Sequence, residues 1–151
     1  MKNLKTWHKI IIGIVILFIL IQFIPVKRTN PPVDGRPEWN NQRTKDLVHR
    51  SCIDCHSHET RWPWYAYVAP SSWLVSSDVQ EGREYFNLSV PPFEGGEHAA
   101  EMVEKGEMPL DIYQWMHSEA NYTEAEKKEL IEGLKATFGS SSDESHEDHD
   151  H

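Results

Sequence analysis

The chain has 151 residues, 38% of them hydrophobic and 26% charged, which suits one modest domain with extensions and is too little for a large multidomain enzyme. The formal net charge is −9, yet all 24 acids lie at Asp34 or later while five of the 15 basic residues precede it, so the body is more acidic than the whole. Such a surface repels phosphate backbones, which argues against a nucleic acid partner, and two cysteines three positions apart cannot form a disulfide framework.

At the N-terminus, Ile10 to Ile24 (IIIGIVILFILIQFI) is an apolar run broken only by one glycine and one glutamine. Val26, Leu4 and Trp7 extend it toward the roughly 20 residues that cross a bilayer. Three lysines precede the run and Lys27 and Arg28 follow it, and no small-residue cleavage signal comes after it. The expectation is an uncleaved transmembrane helix over 10–26, with a cytoplasmic N-terminus over 1–9. The remainder would then lie exported on the outer, periplasmic face of a bacterial cytoplasmic membrane. Residues 27–38 are rich in Pro and Gly and read as a linker, leaving 39–139 for the folded domain. Residues 140–151 contain no apolar side chain and read as a disordered acidic tail. His146, His149 and His151 alternate there with acids and could bind a divalent metal weakly, although a solubilising tail is the favoured reading.

Within the domain, Gln42–Ser51 carries Thr44, Leu47 and Val48 at helical spacing and runs into the cysteine pair. A second helix is predicted from Ser72 to about Tyr85 with Trp73, Val75, Val79 and Tyr85 inward, and a shorter one over Glu97–Lys105 with Ala100 and Val103 inward. Pro91-Pro92 and Pro109 separate these pieces. The last helix is the clearest: Thr123-Glu124-Ala125-Glu126 is a capping box, Leu130, Ile131, Leu134 and Phe138 share a face, and Gly139 is a stop. Gly133 inside it costs about 1 kcal/mol against Ala, which asks for a packing reason. No alternating run is long enough to predict a strand, so the expected fold class is mainly α, a small helical domain preceded by the membrane helix.

Cys52-Ile53-Asp54-Cys55-His56 is a C-x-x-C-H sequence, in which two thiols on one turn can add to the two vinyl groups of a haem while the next histidine coordinates iron. Three other readings compete. A thioredoxin-like pair wants a strand before Cys52, where a helix is predicted; a zinc site lacks a second half-site; a disulfide across so short a loop adds little constraint. If haem is attached, Met108 in Gly106-Glu107-Met108-Pro109 is the preferred second axial ligand, projecting from a loop. Met102 and Met116 read better as core fillers, and His49, His58, His98 and His117 are further candidates. Trp62, Trp64, Tyr65, Tyr67 and Trp73 crowd the stretch after the motif and could wall a macrocycle or be ordinary core and surface aromatics; Arg61 could pair with a propionate.

These residues resemble a class I c-type cytochrome: CIDCH after an N-terminal helix, the Met108-Pro109 pair downstream, and the capped helix TEAEKKELIEGLKATF. More closely, SCIDCHSHETRWPWYAYVAPSSWLVSSDVQEGREYFNLS followed by KGEMPLDIYQWMHSEANYT is similar to the bacterial haem-binding domain family of small membrane-anchored monohaem proteins. The resemblance implies a cytochrome c-like domain around one covalent haem c, thioether links at Cys52 and Cys55, His56 as proximal ligand and Met108 as distal ligand. It also implies that the two terminal helices of the domain cross. Where the wider cytochrome pattern has an aromatic residue before the last Leu-Lys, this chain has Gly133. The expected function is one-electron transfer with membrane-associated redox partners. The alternatives are a peroxidase-like haem enzyme or a gas or redox sensor with an open distal position, and a haem-bearing subunit of a larger membrane complex.

Overall fold

The computed structural model describes residues 5–139. The expectations for residues 1–4 and for the acidic tail with His146, His149 and His151 lie outside them. The N-terminal apolar run folds as α1 (Thr6–Ile21), sixteen residues of which none is buried. Its end is chemical: Gln22, Phe23 and Ile24 continue only in turns, donating to the carbonyls of Ile19, Leu20 and Ile21. Pro25 then has no amide to extend the ladder and disfavours helical geometry at Ile24. The helix expected over 10–26 therefore begins earlier, at Thr6, and ends earlier, at Ile21. Sixteen residues rise about 24 Å, and among the described residues no helix is long and apolar enough to cross a membrane.

The chain up to Thr29 and the segment Trp62–Asp78 form one compact unit. There the Gln22 side chain clamps Ala69 from both sides, donating to its carbonyl at 3.2 Å and accepting its amide at 2.9 Å. Arg28 donates to the Ala66 carbonyl at 3.1 Å and stacks over the Tyr67 ring, and the Ser76 hydroxyl donates to the Lys27 carbonyl at 2.8 Å. A short 3-10 turn over Trp64–Tyr67 gives this segment its shape.

Asn30–Arg61 and the chain from Val79 form the other unit. The segment read as a linker is hydrogen-bonded to this unit: the Asp34 and Gly35 amides both donate to the Ser89 carbonyl, at 2.9 and 3.2 Å. The first helix here, α2 (Gln42–Ser51), starts because the Asn41 side chain accepts the Thr44 amide at 2.8 Å. A four-residue turn, α3 (Ile53–His56), follows at once. The next helix, α4 (Ser71–Tyr85), contributes residues to both units, and α5 (Gly96–Lys105) and α6 (Asp111–Met116) come after it. The predicted capping box is present at the start of α7 (Glu124–Phe138): the Thr123 hydroxyl accepts the Glu126 amide while the Glu126 carboxylate accepts the Thr123 amide. Among the described residues there is no strand, so the fold is mainly helical as expected.

Leu47, Val48, Ile53, Phe86, Leu88, Ala100, Val103, Leu130 and Leu134 form the core of this unit. Two glycines allow helices to approach closely here. A Cβ on Gly133 would lie 2.6 Å from Thr44 Cγ2, so α2 crosses α7 with Thr44 as the knob and Gly133 as the hole. A Cβ on Gly96 would lie 2.9 Å from the Phe138 ring, which brings α5 onto the end of α7. Phe138 meets Phe86, Phe93 and Trp39 edge-on, an aromatic cluster that periodicity alone does not reveal.

One predicted face is corrected. Helix α4 buries Val79 as predicted but leaves Trp73 37% and Tyr85 80% exposed, and the rest of its inward stripe is Ser72, Ser76 and Gly82. Backbone approach decides this: a Cβ on Gly82 would stand 2.9 Å from the Cys55 carbonyl oxygen, so the inward stripe holds small residues there and large apolar residues face out. The sequence reading also left out α6, although the acidic Asp111 that opens it is a helix-start signal.

Candidate functional site

The site begins where α2 stops. The Cys52 amide donates to the Val48 carbonyl at 2.8 Å, and the Cys52 carbonyl then accepts the His56 amide at 2.8 Å and the Cys55 amide at 3.2 Å. This single turn sorts the motif by side chain. Ile53 and Asp54, the two middle residues, are buried, whereas Cys52, Cys55 and His56 remain partly exposed. Neither cysteine is in a disulfide.

Asp54 anchors the turn. Its carboxylate accepts the Arg61 amide at 2.9 Å, Arg61 Nε at 3.1 Å, Arg61 Nη2 at 2.8 Å and the Tyr113 hydroxyl at 2.9 Å, and its carbonyl accepts the Thr60 hydroxyl at 2.7 Å. Arg61, expected as a propionate partner, is thus engaged by Asp54. Tyr113 reaches Asp54 from α6, and burial first, then the Asp54 charge, pushes its phenol far above the ordinary range. Below the turn, the Ser51 hydroxyl touches both Cys52 Sγ, at 3.4 Å, and the Tyr122 hydroxyl, which donates to the Leu47 carbonyl at 2.7 Å.

His56 is oriented by a carbonyl from outside the motif. Its Nδ1–H donates to Phe86 O at 3.0 Å, its own carbonyl accepts the Leu88 amide at 2.7 Å, and its ring lies 5.8 Å from that of Phe86. Burial lowers its pKa below the usual histidine value. A neutral ring with Nδ1 donating leaves the Nε2 lone pair as its coordinating atom, the arrangement that second-shell hydrogen bonds impose on metal-ligating histidines.

Met108 is delivered by the end of α5. Gly106, at φ 75, caps that helix in the left-handed region, and the Glu107 and Met108 amides both donate back to the Met102 carbonyl at 3.0 and 3.2 Å. The chain thereby returns toward the core, and Met108 packs against the same apolar cluster as Cys52. The other candidates fare differently. His58 has both ring nitrogens taken, Nδ1 by the Pro32 carbonyl at 2.6 Å and Nε2 by Asn87 at 3.0 Å. His117 stacks on Tyr113 at 4.3 Å with Nδ1 at 3.1 Å from Glu119. His49, His98 and Met116 are exposed, and Met102 is partly buried on α5. Trp62, Trp64, Tyr65, Tyr67 and Trp73 belong to the unit that contains α1, while Cys52–His56 belongs to the other.

The donor set fits a haem: two thiols on one turn that are not joined in a disulfide, and beside them an imidazole whose Nδ1 is committed to a backbone carbonyl. It fits the competing chemistries less well. A helix, not a strand, leads into Cys52, and burial raises the Cys52 thiol pKa, opposite to a reactive redox cysteine. Among the described residues no three His, Cys, Asp or Glu side chains gather as a metal-ion cluster. Sequence reasoning named Cys52, Cys55, His56 and Met108 as candidates and did not name Asp54, Phe86 or Tyr113, which the structure packs around the motif; Asp54 sat in plain view inside it, whereas no local signal ties Phe86 or Tyr113 to it.

No curated protein and no solved structure matches the chain significantly. A model of the family described as haem-binding domain matches residues 16–136, most of the chain and all of the site just described. The chain belongs to the haem-binding domain family.

Proposed function

We propose that the chain carries one covalently bound haem c, which Cys52 and Cys55 would attach and His56 and Met108 would hold at the iron, and serves as a one-electron carrier held at the outer face of a bacterial cytoplasmic membrane. The observation that carries this reading is the His56 Nδ1–Phe86 carbonyl bond on a turn that carries two cysteines not joined in a disulfide. Each thiol would add its S–H across one vinyl C=C, a step that balances without an oxidant. Bound haem supplies a reversible one-electron change at iron, and methionine ligation raises its potential.

The chain's own residues do the positioning. Asp54, Arg61 and Thr60 lock the turn, the Phe86 carbonyl fixes the ring of His56, and the Gly106 turn brings Met108 to the core. The crossing of α2 and α7 at Thr44 and Gly133 supports a cytochrome c-like arrangement of the terminal helices. The membrane location is supported by α1, whose apolar side chains are exposed on every side and whose apolar run continues through Phe23 and Ile24 beyond the helix end. A helix shorter than the bilayer core is accommodated by local thinning and by lysines reaching to the headgroups.

The test is the optical and near-infrared spectrum of the full chain made in a periplasm competent for cytochrome c maturation. The expected result is a low-spin haem that resists acidified solvent extraction and shows a sulfur-to-iron charge-transfer band, lost in Met108→Ala. Extractable haem refutes the covalent link. High-spin iron that binds carbon monoxide refutes the electron-carrier reading in favour of a haem enzyme or sensor with an open distal position.

A further inference from the structure

The segment Trp62–Ser77 contains no charged residue in a chain where 26% of residues are charged. It also shows much of its apolar surface: Trp64 is 75% exposed, Tyr67 59%, Leu74 50% and Trp73 37%. Large aromatics at such exposure, clustered rather than scattered, mark an interaction surface. Nothing in the haem site accounts for them.

Three observations say what covers this surface. First, the segment is welded to α1, because Gln22 at the end of that helix exchanges two hydrogen bonds with Ala69, and Arg28 and Lys27 just beyond it bond to the Ala66 carbonyl and the Ser76 hydroxyl. The aromatic segment therefore sits at the level where the apolar run leaves its surroundings and becomes cationic. Second, its composition is that of an interfacial belt: Trp and Tyr, apolar in body with one polar group, prefer the boundary between headgroups and acyl chains. Third, charge is segregated between the two compact units. The unit made of the chain to Thr29 and Trp62–Asp78 holds five basic residues and one acid, Asp78, whereas the rest holds ten basic residues and 23 acids. An anionic lipid surface attracts the first and repels the second.

We infer that Trp62–Leu74 is a lipid-seating platform: Trp64, Tyr67, Trp73 and Leu74 bed into the headgroup–acyl boundary of an anionic bilayer beside the end of α1, and Arg28 and Lys27 face its phosphates. The inference rests on the membrane anchor proposed above. It gives the unit a role beyond that of a tether. A chain held by α1 alone would swivel about a single helix, whereas one seated by a second segment has a defined base.

The experiment uses the full haem-loaded chain in vesicles of phosphatidylglycerol and phosphatidylethanolamine that contain photoactivatable diazirine lipids, with adducts mapped by mass spectrometry. One lipid carries the diazirine next to the headgroup and a second carries it at the end of the acyl chain. The platform predicts adducts from the headgroup-proximal probe on Trp64, Tyr67, Trp73 and Leu74, at yields comparable to those on Phe23 and Ile24, while the deep probe labels the middle of α1 only. Adducts confined to α1 overturn the platform and leave the anchor standing. No adduct on α1 or on the segment overturns both. Protection of the segment by cross-linking to another polypeptide overturns the platform in favour of a protein partner.

Discussion

Gly133→Ala is the sharpest test of the packing that places the site. On an isolated helix this change stabilises by about 1 kcal/mol, since alanine has less backbone freedom to lose. Here the added Cβ would lie 2.6 Å from Thr44 Cγ2 and 2.8 Å from Thr44 Cβ. Thr44 cannot turn aside. It is fully buried, β-branched, and its hydroxyl lies 3.3 Å from the Asn41 side-chain oxygen that also caps α2. The two helices must separate, and overpacking of this kind costs about 1–3 kcal/mol or more. Overlap with several Thr44 atoms puts the cost at the upper end, so the net effect is a destabilisation of about 2 kcal/mol after the propensity gain. For a domain of this size that lowers Tm by roughly 10 °C. The assay is urea unfolding followed by far-ultraviolet circular dichroism for the parent, Gly133→Ala, Thr44→Ala and the double variant. The double variant should recover most of the loss, because the new methyl occupies the space that Thr44 vacates, giving a coupling of about 1–3 kcal/mol. A Gly133→Ala protein as stable as the parent, or two losses that simply add, would refute the crossing.

Two further outcomes follow from the same structure. Tyr113→Phe removes one of four donors to the buried Asp54 carboxylate and should destabilise by about 1–2 kcal/mol, the range for a hydrogen bond to a charged group discounted for the exposed Arg61 that remains; an unchanged urea midpoint would show that the bond from α6 is not formed. Glu126 is held down to about 2 from the usual 4.5, first by its hydrogen bond from Arg50 and then by the Thr123 amide. A depressed folded-state pKa contributes stability that is complete above 4.5 and is lost as pH falls toward 2, so Glu126→Gln should weaken the protein at neutral pH and flatten its acid limb over that window. Parallel stability–pH curves for the two proteins would contradict this.

Much of the molecule was legible in local chemistry. The C-x-x-C-H spacing, the Thr123 capping box, the Gly106 turn before Met108-Pro109 and the helical periods of α2, α5 and α7 each depend on residues a few positions apart, so the chain itself specifies them. Gly133 belongs in part to this group: its propensity cost announced a close contact, and only the fold named Thr44 as the partner. What tertiary structure decided is where distant segments meet. Nothing near Trp73 or Tyr85 says that the inward stripe of α4 must be small; the backbone of Cys55 against Gly82 does. The end of α1 was a local matter of Pro25, but the role of Trp62–Ser77 depended on Gln22 reaching Ala69, 47 residues away. In the same way the His56 ring is oriented, with Nδ1 donating to a backbone carbonyl, only because Phe86, 30 residues on, is packed against it. Identity and short-range order were written in the residues, while the orientation of the reactive groups came from contacts that only a closed chain can make.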